Sequence, residues 1–305
     1  MAAYLLWGLF PLYWPLLEPA APVEILAHRV VWSLVFLAIV LAGSVGFRWI
    51  AGLGRRRAVL LALASVLITV NWGTFIYGVN SGHVVETSLG YFINPLVTVG
   101  LAVTVLHEHL RRHQRVAVAI AAVAVAVLTV DYGRPPWIAL ALAFSFGAYG
   151  LIKKRVGVDG TQSLAVETAF LIIPAAGYLL WLGSDGRGTF TTEGAGHVAL
   201  LLGAGITTAV PLMLFGAAAI RVPLATVGLL QYIAPIMQFL IGVLVYHESM
   251  PLTRLAGFAL VWVALAVFTV DAVRALRQGA RTSAGPPASG GGGEAPLLAG
   301  TSAGR

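Results

Sequence analysis

The residues best suited to bind a small molecule form a polar stripe inside one long apolar segment, residues 84–106. Tyr91 and Asn94 share a helical face with Thr87 and Thr98, because spacings of three and four residues return to the same side of a helix. Hydroxyl and amide groups can donate and accept hydrogen bonds. We therefore predict Tyr91 and Asn94 as substrate contacts.

A second apolar segment, residues 222–246, carries Gln231 and Gln238, which we also predict as substrate contacts. Each segment contains a proline near its centre, Pro95 in the first and Pro235 in the second. A proline inside a helix frees the carbonyl four residues earlier, and a freed carbonyl in a bilayer must find a partner or line a watery cavity. We predict both prolines as hinges beside a substrate path. The alternative is packing kinks whose polar neighbours bond between helices.

A third apolar segment, residues 57–79, supplies Asn71 and Tyr77. We predict these two side chains as the wall that faces the substrate path. Hydrogen bonds between neighbouring helices would explain the same polar residues almost as well.

Ionisable residues inside apolar segments are candidates for proton transfer or ion pairing, because charge is costly in a bilayer. In the motif EILAHR, Glu24 and His28 lie four residues apart beside Arg29, and Glu24 is expected either as the ion-pair partner of Arg29 or as a charge at the N-terminal end of the helix. The alternative is an anchor at the outer interface, with Arg29 extended toward the headgroups. Glu167 lies deeper and has no partner nearby in sequence, so we predict it as a candidate proton carrier.

The histidine-rich stretch His107–His113 invites a metal-site interpretation, which its spacing disfavours because it does not match HExxH. Only the first two residues, His107 and Glu108, recur later, as His247 and Glu248. We interpret the pair as a structural turn between helices, with the glutamate facing a positive helix end. No nucleophile motif or phosphate-binding loop occurs, so we expect neither an enzyme nor a cofactor or metal.

Composition identifies the elements that position these residues as membrane-spanning helices. The 305 residues are 59% hydrophobic and 10% charged, whereas soluble domains carry about 25% charged residues. The net charge of +7 comes from arginines and lysines between apolar runs, where such residues set topology, so we expect no nucleic-acid partner. The chain has no cysteine, which excludes disulfides and thiol chemistry.

The predicted fold is an all-α polytopic membrane protein with ten transmembrane helices, each spanning about 20 apolar residues. Short connections predict that consecutive helices pack as neighbours. A Gly/Ala/Ser/Pro-rich stretch, residues 278–305, predicts a disordered tail. The ten segments lie near residues 2–17, 26–46, 57–79, 84–106, 114–131, 135–152, 161–183, 195–217, 222–246 and 252–272.

An internal repeat organises the ten segments. Residues 89–131 recur without a gap as residues 229–271, with the same proline, the same His-Glu pair and the same terminal Thr-Val-Asp. The spacing between the copies contains five predicted helices, an odd number, so residues 1–133 and 134–277 should form two inverted five-helix repeats. Inverted repeats are typical of secondary transporters, with the site near the midplane where the halves meet.

Lysines and arginines of the loops fix the expected orientation. With the N-terminus inside, the loops on the outer side hold only Arg134, Arg187 and Arg254, and the remaining loop lysines and arginines face the cytoplasm. Positive charge concentrates on the cytoplasmic side of membrane proteins. Both termini are therefore expected in the cytoplasm.

Several motifs of the chain resemble the RarD family, a branch of the EamA transporters in the drug/metabolite transporter superfamily. The resemblance covers about residues 3–272 and departs from the EamA pattern at Ala117, where the last helix of a repeat usually has the glycine found at Gly257. It implies ten helices in two inverted halves, a bacterial inner-membrane location, and a central cavity lined by helices 1, 3, 4, 6, 8 and 9. The motifs that carry it are AYLLWGLFPLYWPLL, EILAHRVVWSLVF, NWGTFIYGVNSGHVVETSLGYFINPL, LAFSFGAYGLIKK and LATVGLLQYIAPIMQFLIGVLVYHE.

Together these observations predict a secondary transporter that moves a small metabolite or drug by alternating access, with export the expected direction. A passive channel or facilitator of the same fold is the alternative. The expected partners are a small-molecule substrate and the lipid bilayer. A homodimer is also a candidate, although no predicted helix carries a clean lipid-facing GxxxG motif.

Overall fold

The computed structural model describes residues 1–106, 112–219 and 230–283, and within these ranges it is all-helical, with no β-strand. Short 3-10 turns, Trp14–Leu17 and Arg48–Gly52, precede α3 and α4. The pair His107-Glu108 lies outside the described residues. The α-helices, numbered in chain order, are α1 (Ala2–Gly8), α2 (Phe10–Tyr13), α3 (Pro22–Ala42), α4 (Arg55–Asn80), α5 (Val84–Leu106), α6 (Arg112–Tyr132), α7 (Trp137–Val156), α8 (Gly160–Ser184), α9 (Gly194–Ala219), α10 (Ile233–Leu244) and α11 (Leu252–Ser283).

Six of the described helices are long and apolar enough to cross a membrane, which requires about 20 residues. They are α3, α4, α6, α8, the part of α9 up to Leu214 and the part of α11 up to Asp271. Two shorter apolar helices, Trp137–Lys153 within α7 and Ile233–Leu244, accompany them. The chain is therefore an all-helical polytopic membrane protein, as its composition predicts.

Prolines determine where the first helices begin and end. The first predicted segment is divided into α1, α2 and a 3-10 turn, with Pro11 in the first turn of α2 and Pro15 in the 3-10 turn. The next helix starts at Pro22 rather than near residue 26. Proline is favoured at the first position of a helix because its missing N–H would be unpaired there anyway.

Two boundaries differ from the sequence predictions. Pro95 lies inside α5, as expected, but Pro235 lies in the first turn of α10 and not at the centre of a helix. A proline in that turn removes no helical hydrogen bond, because the first four N–H groups of a helix have no intrahelical partner. The last helix continues to Ser283, so the tail predicted from residue 278 begins too early. Alanine and arginine, both good helix formers, extend this helix; residues 284–305 lie outside the described part of the chain.

Helices from the first half of the chain pack mainly against helices from the second half. Both α4 and α5 pack on α7, α3 packs on α8 and α9, and α6 packs on α11. The predicted packing of consecutive helices is therefore wrong for the main interfaces, because a short loop brings helix ends together without fixing which faces meet. Glycines select the faces that meet, because they lack a Cβ and let two backbones approach closely. A Cβ at Gly205 would lie 2.6 Å from Ser33 N, and a Cβ at Gly90 would lie 2.8 Å from the Ala139 carbonyl oxygen.

The interface between α6 and α11 is antiparallel, as the ionic contacts at its two ends require. Arg254 near the start of α11 donates from Nε to Asp131 near the end of α6, at 2.8 Å. At the opposite end, His113 Nδ1 of α6 lies 3.4 Å from Asp271 Oδ1 of α11. The repeated Thr-Val-Asp endings therefore face the first turn of the other helix.

The tight contact of α9 with α3 predicts the effect of a minimal substitution. Gly205→Ala should lower the stability of the detergent-solubilised protein by about 1–3 kcal/mol, because overpacking forces two backbones apart. Gly177→Ala in α8 is the matched control, since a Cβ there meets nothing within 4 Å. Thermal unfolding should show a lower midpoint for Gly205→Ala and an unchanged or higher one for Gly177→Ala. Equal midpoints would contradict this packing.

Candidate functional site

Arg29 is buried inside the helix bundle. It lies on α3, about 10 Å along the helix from Pro22, and only 3% of its surface is exposed. Its Nε donates to Thr208 Oγ1 of α9 at 2.6 Å, and in the described part of the chain the guanidinium has no other hydrogen bond and no carboxylate partner. The predicted Glu24–Arg29 ion pair is not formed, because residues five apart leave a helix about 140° from each other.

Three aromatic rings surround the Arg29 guanidinium. Its Cζ lies 4.0 Å from the ring centroid of Trp72, 5.1 Å from that of Trp14 and 5.7 Å from that of Phe10. A cation–π contact is worth about 0.5–2 kcal/mol, whereas burying an ion costs several kcal/mol even after relaxation. The rings therefore hold the guanidinium in place and offset only part of the cost of its burial.

Asn71 and Tyr91, both predicted to line the substrate path, bond each other near Arg29. The Tyr91 hydroxyl donates to Asn71 Oδ1 at 3.2 Å, and it lies within electrostatic range of the Arg29 guanidinium. Asn71 is 1% exposed and donates from Nδ2 to the Leu142 carbonyl at 3.0 Å and to Ser145 Oγ at 3.1 Å. Because its amide is fully occupied by α5 and α7, Asn71 orients Tyr91 in this conformation.

Asn94 and Thr98 lie further along the same face of α5, toward its C-terminal end. Asn94 is half-buried and Thr98 is exposed, with 3.5 Å between Thr98 Oγ1 and Asn94 Oδ1. Gly147 of α7 packs closely against them, since a Cβ there would lie 3.3 Å from Thr98 Oγ1 and 3.6 Å from Asn94 Oδ1. Thr87, at the other end of the stripe, is buried and bonds its own helix at the Val84 carbonyl. Of the predicted stripe, Asn94 and Thr98 are therefore the members that present polar groups beyond Tyr91.

The two predicted glutamines differ in their environment. Gln238 of α10 is buried, donates from Nε2 to the Trp7 carbonyl of α1 at 3.1 Å, and has no partner at Oε1 within the described ranges. Gln231 is half-buried in the turn before α10. Gln238 thus joins the first and last thirds of the chain and retains a free acceptor, while a substrate contact at either residue stays a prediction.

Tyr77 is not part of the polar cluster. It is 45% exposed, and its ring packs against Trp137 at a centroid distance of 5.6 Å. Six residues turn a helix by about 600°, so Tyr77 points about 120° away from Asn71. The predicted wall of Asn71 and Tyr77 is therefore not formed; the residue of α4 next to Asn71 at the site is Trp72.

Glu24 contacts the segment between α8 and α9. It is buried and accepts from Thr189 N at 2.7 Å and from Thr189 Oγ1 at 3.0 Å. The same hydroxyl lies 2.8 Å from His197 Nε2 of α9. The carboxylate therefore fixes a loop to the start of α3 rather than neutralising a cation.

His28 shares the face of Glu24 and is also buried. Its ring stacks on Phe190 at 4.8 Å, and Nδ1 accepts from Trp32 Nε1 at 3.1 Å. Its Nε2 atom is buried without a hydrogen-bond partner. His28 and Glu24 thus lie on one face of α3, as their spacing predicts. Both contact the segment between α8 and α9, at Phe190 and Thr189, and not Arg29.

Glu167 has the partners that sequence reasoning did not find. It is fully buried, and its carboxylate bonds Lys153 Nζ at 2.8 Å, Ser163 Oγ at 2.7 Å and the Tyr149 hydroxyl at 3.0 Å. Lys153 and Tyr149 belong to α7, across a loop from α8, which is why no local pattern pairs them with Glu167. The prediction of Glu167 as a proton carrier assumes a buried carboxylate without a partner. The structure instead pairs this carboxylate with a cation and two hydroxyls.

Two further carboxylates tie helix ends together. Glu86 is buried, bonds Arg134 at 2.9 Å, and accepts from Ile138 N at 3.1 Å. Glu248, in the loop after α10, accepts from Val84 N and Val85 N at 2.5 and 3.1 Å. Burial raises the pKa of the Glu248 carboxyl, and its bonds to these N–H groups offset part of the rise.

In the second copy of the His-Glu pair, Glu248 faces a positive helix end, but the helix that it caps is α5 and not the next helix in sequence. We call the end of the bundle that holds Glu24, Glu86 and Glu248 the Glu86 end, and the opposite end the Lys153 end.

Sequence reasoning missed several residues that contact Arg29 or Asn71. Thr208 occurs in a threonine pair of an apolar segment, where its polarity gives only a weak signal. Trp14 and Trp72 are of a type common at membrane interfaces, and nothing in the sequence places their rings around a cation. Ser145 is an isolated serine in α7. These residues come from four different elements, so only the packing brings them together.

Comparisons with known proteins agree with this architecture. The EamA-like transporter family matches residues 1–130. Protein RarD of Streptomyces exfoliatus is 57% identical over 288 residues, which cover 93% of this chain and 91% of that protein. The uncharacterized transporter YojE of Bacillus subtilis is 46% identical over 278 residues, 89% of this chain and 92% of that protein. A solved crystal structure with 17% identity superposes with a TM-score of 0.58 over 88% of this chain and 95% of that one, which shows a shared fold.

An all-helical bundle with apolar spans, shared over most of its length with proteins called transporters, defines a bacterial membrane transport protein. Within that class, the chain belongs to the RarD family of EamA-type drug/metabolite transporters. The resemblance of its motifs to that family is thereby confirmed.

The buried contact of Lys153 with Glu167 predicts a strong dependence of stability on the lysine. Lys153→Met should destabilise the protein by about 3–5 kcal/mol, because it leaves a buried carboxylate without its cation. Adding Glu167→Gln should recover much of the loss, since an amide can still bond the serine and the tyrosine. Thermal unfolding in detergent at neutral pH measures both effects.

Arg187→Met provides the matched control. Arg187 and Asp185 form an exposed pair at 3.5 Å, and exposed pairs contribute about 0–1 kcal/mol. Arg187→Met should leave the unfolding midpoint near that of the wild type. If Lys153→Met lowered the midpoint no more than Arg187→Met does, Lys153 would not neutralise Glu167.

Proposed function

We propose that the chain is a secondary transporter that exports a small metabolite or drug across the bacterial cytoplasmic membrane by alternating access. The observation that carries the proposal is the polar cluster of Arg29, Asn71 and Tyr91. It is enclosed by helices from both halves of the chain, with α3, α4 and α5 on one side and α7 and α9 on the other. A site between two halves that can move relative to each other is what alternating access requires.

The pattern of helix contacts supports an arrangement of ten helices in two inverted halves, residues 1–133 and 134–277. The contacts of α7 with α4 and α5 correspond to those of α1 with α9 and α10. The contact of α3 with α9 corresponds likewise to that of α8 with α4. Such reciprocal pairs are expected when the halves are related by a two-fold axis in the membrane plane.

The ends of the repeated helices support the same arrangement. Asp131 and Asp271 occupy equivalent positions in the two copies, and each faces the first turn of the other copy, at Arg254 and His113 respectively. An antiparallel pair of equivalent helices is the relation that an inverted duplication produces.

Contacts at the two ends of the bundle support a conformation closed at the Glu86 end. There Glu86 holds Arg134, Glu248 caps α5, and the Tyr246 hydroxyl donates to the Pro11 carbonyl at 2.7 Å. Toward the Lys153 end, Thr98, Thr104 and Phe144 are exposed. Since the distribution of loop arginines favours a cytoplasmic Lys153 end with both termini inside, we assign this conformation as inward-facing.

The prolines would act as hinges in the transition. Pro95 follows Tyr91 by one turn on α5, so bending there would move the site relative to the Lys153 end. Pro235 lies in the first turn of α10, about one turn before Gln238, so bending there would move the contact of the Gln238 amide with α1.

Cysteine reporters test alternating access without knowledge of the substrate, because the chain has no cysteine of its own. Thr87→Cys reports the buried Glu86 end and Thr98→Cys reports the exposed face toward the Lys153 end. In the otherwise unchanged chain, a membrane-impermeant maleimide should label Thr98→Cys in everted vesicles and leave Thr87→Cys unlabelled from either side. Adding Glu86→Gln removes the partner of Arg134, so labelling at residue 87 from outside should rise several-fold while labelling at residue 98 falls.

Asp131→Asn is the matched control, because Asp131 forms a buried ion pair at the Glu86 end but between α6 and α11, away from the cluster. It should change neither labelling rate. If Glu86→Gln made both reporters accessible at the same time, the passive channel would replace the transporter as the better account. Unchanged labelling at both positions would reject the assigned closure.

A further inference from the structure

We propose that the transported substrate is a small organic anion, whose carboxylate pairs with Arg29 and whose apolar or aromatic body lies against Trp14 and Trp72. This inference rests on the proposed function and specifies its substrate class. It is carried by an imbalance inside the bundle, where a buried cation and a second buried donor lack the acceptors that would satisfy them.

Every buried glutamate in the described part of the chain is committed to another partner. Glu24 accepts from Thr189, Glu86 pairs with Arg134, and Glu167 pairs with Lys153. None of them bonds Arg29, whose one hydrogen bond in the described residues goes to the neutral hydroxyl of Thr208. The guanidinium thus lies in an apolar environment without a counter-ion among the described residues.

The unsatisfied groups around Arg29 are donors. A guanidinium carries five N–H groups, and among the described residues only the one at Nε has an acceptor. The indole Nε1 of Trp14, whose ring lies 5.1 Å from the same guanidinium, is fully buried and also has no hydrogen-bond partner in the part of the chain that the structure describes. Indole nitrogen can only donate. Buried donors are nearly always paired in folded proteins, so the ligand group that complements these donors is one rich in hydrogen-bond acceptors.

A carboxylate matches this arrangement in charge and in shape. Its two oxygens can accept two parallel N–H bonds from a planar guanidinium, and they have further lone pairs for an indole N–H. The neighbouring surface is made of the rings of Phe10, Trp14 and Trp72. An apolar or aromatic body attached to the carboxylate would contact these rings, whereas a primary amine would meet the cation of Arg29 and be repelled.

The location of the cluster fits a transported ligand rather than a permanent structural ion. Arg29 is 3% exposed in the conformation closed at the Glu86 end, so access requires movement of the helices around it. Its partners come from α2, the following 3-10 turn, α4 and α9, which belong to both halves. A relative motion of the halves would therefore change the coordination of a bound carboxylate directly.

Three probes with the same ring system separate charge from shape in the wild-type protein. They are indole-3-acetate, its neutral amide indole-3-acetamide and the cationic tryptamine. Binding is measured at neutral pH and constant ionic strength on the purified full chain, by ligand-dependent thermal stabilisation. We expect the carboxylate to bind at least about 10-fold more tightly than the amide or the amine, because only it can form charge-assisted bonds with Arg29. Chloride and inorganic phosphate should stabilise less than the carboxylate.

Variants assign the preference to the proposed residues. Arg29→Gln should abolish the difference between carboxylate and amide, Arg29→Lys should keep a weakened preference, and Trp14→Phe should weaken carboxylate binding while retaining the ring. Arg254→Gln is the matched control, since Arg254 is a second arginine with a carboxylate partner in another interface. It should lower stability and leave the probe preference unchanged.

The outcomes separate this inference from the proposed function. Equal affinity for all three probes in the wild-type protein, or stabilisation by chloride and phosphate equal to that by indole-3-acetate, would overturn the organic-anion site. An unchanged preference in folded Arg29→Gln would overturn the role of Arg29. If the carboxylate preference held but the cysteine reporters never switched, the site would stand and transport by alternating access would fail.

Discussion

A guanidinium buried among apolar helices costs more free energy than neighbouring aromatic rings return, and the centre of this protein is arranged around that imbalance at Arg29. The helices that hold it come from distant parts of the chain, so the cation is in place only when both halves are packed. The acidic groups have the opposite distribution. Glu24, Glu86 and Glu248 fix helix ends and loops, which leaves the middle of the bundle with a net positive site.

The interfaces between the helices separate into two kinds, which matters for the proposed movement of the halves. The helices interleave, and the largest interfaces join α7 to α4 and α5, α3 to α9, and α6 to α11. The contact of α6 with α11 is tied by ionic groups at both ends and lies away from Arg29. The contacts that close the Glu86 end are few and local, and they involve the starts of α5 and α7. Under the proposed function, the interface of α6 with α11 is a scaffold, and the contacts at the Glu86 end form a gate.

Helices were predictable from sequence because length and apolarity alone decide whether a segment can span a bilayer. Asn71 and Tyr91 could be selected from the sequence as polar groups in apolar segments, but their hydrogen bond to each other is set by the packing of α4 on α5. Other features depend on the angle at which a side chain leaves its helix. The predicted wall of Asn71 with Tyr77 and the expected Glu24–Arg29 ion pair are not formed for that reason. The contact of Lys153 with Glu167 and the rings around Arg29 join elements far apart in sequence, so no periodicity could reveal them.

Charge movement on ligand binding tests the central claim, that Arg29 receives a substrate carboxylate, most directly. In proteoliposomes on a solid-supported membrane, a concentration jump of indole-3-acetate should give a transient current of the sign expected for an anion entering the protein. The current should be absent for indole-3-acetamide and for the Arg29→Gln variant. A current of equal size in that variant, or with the amide, would contradict the account.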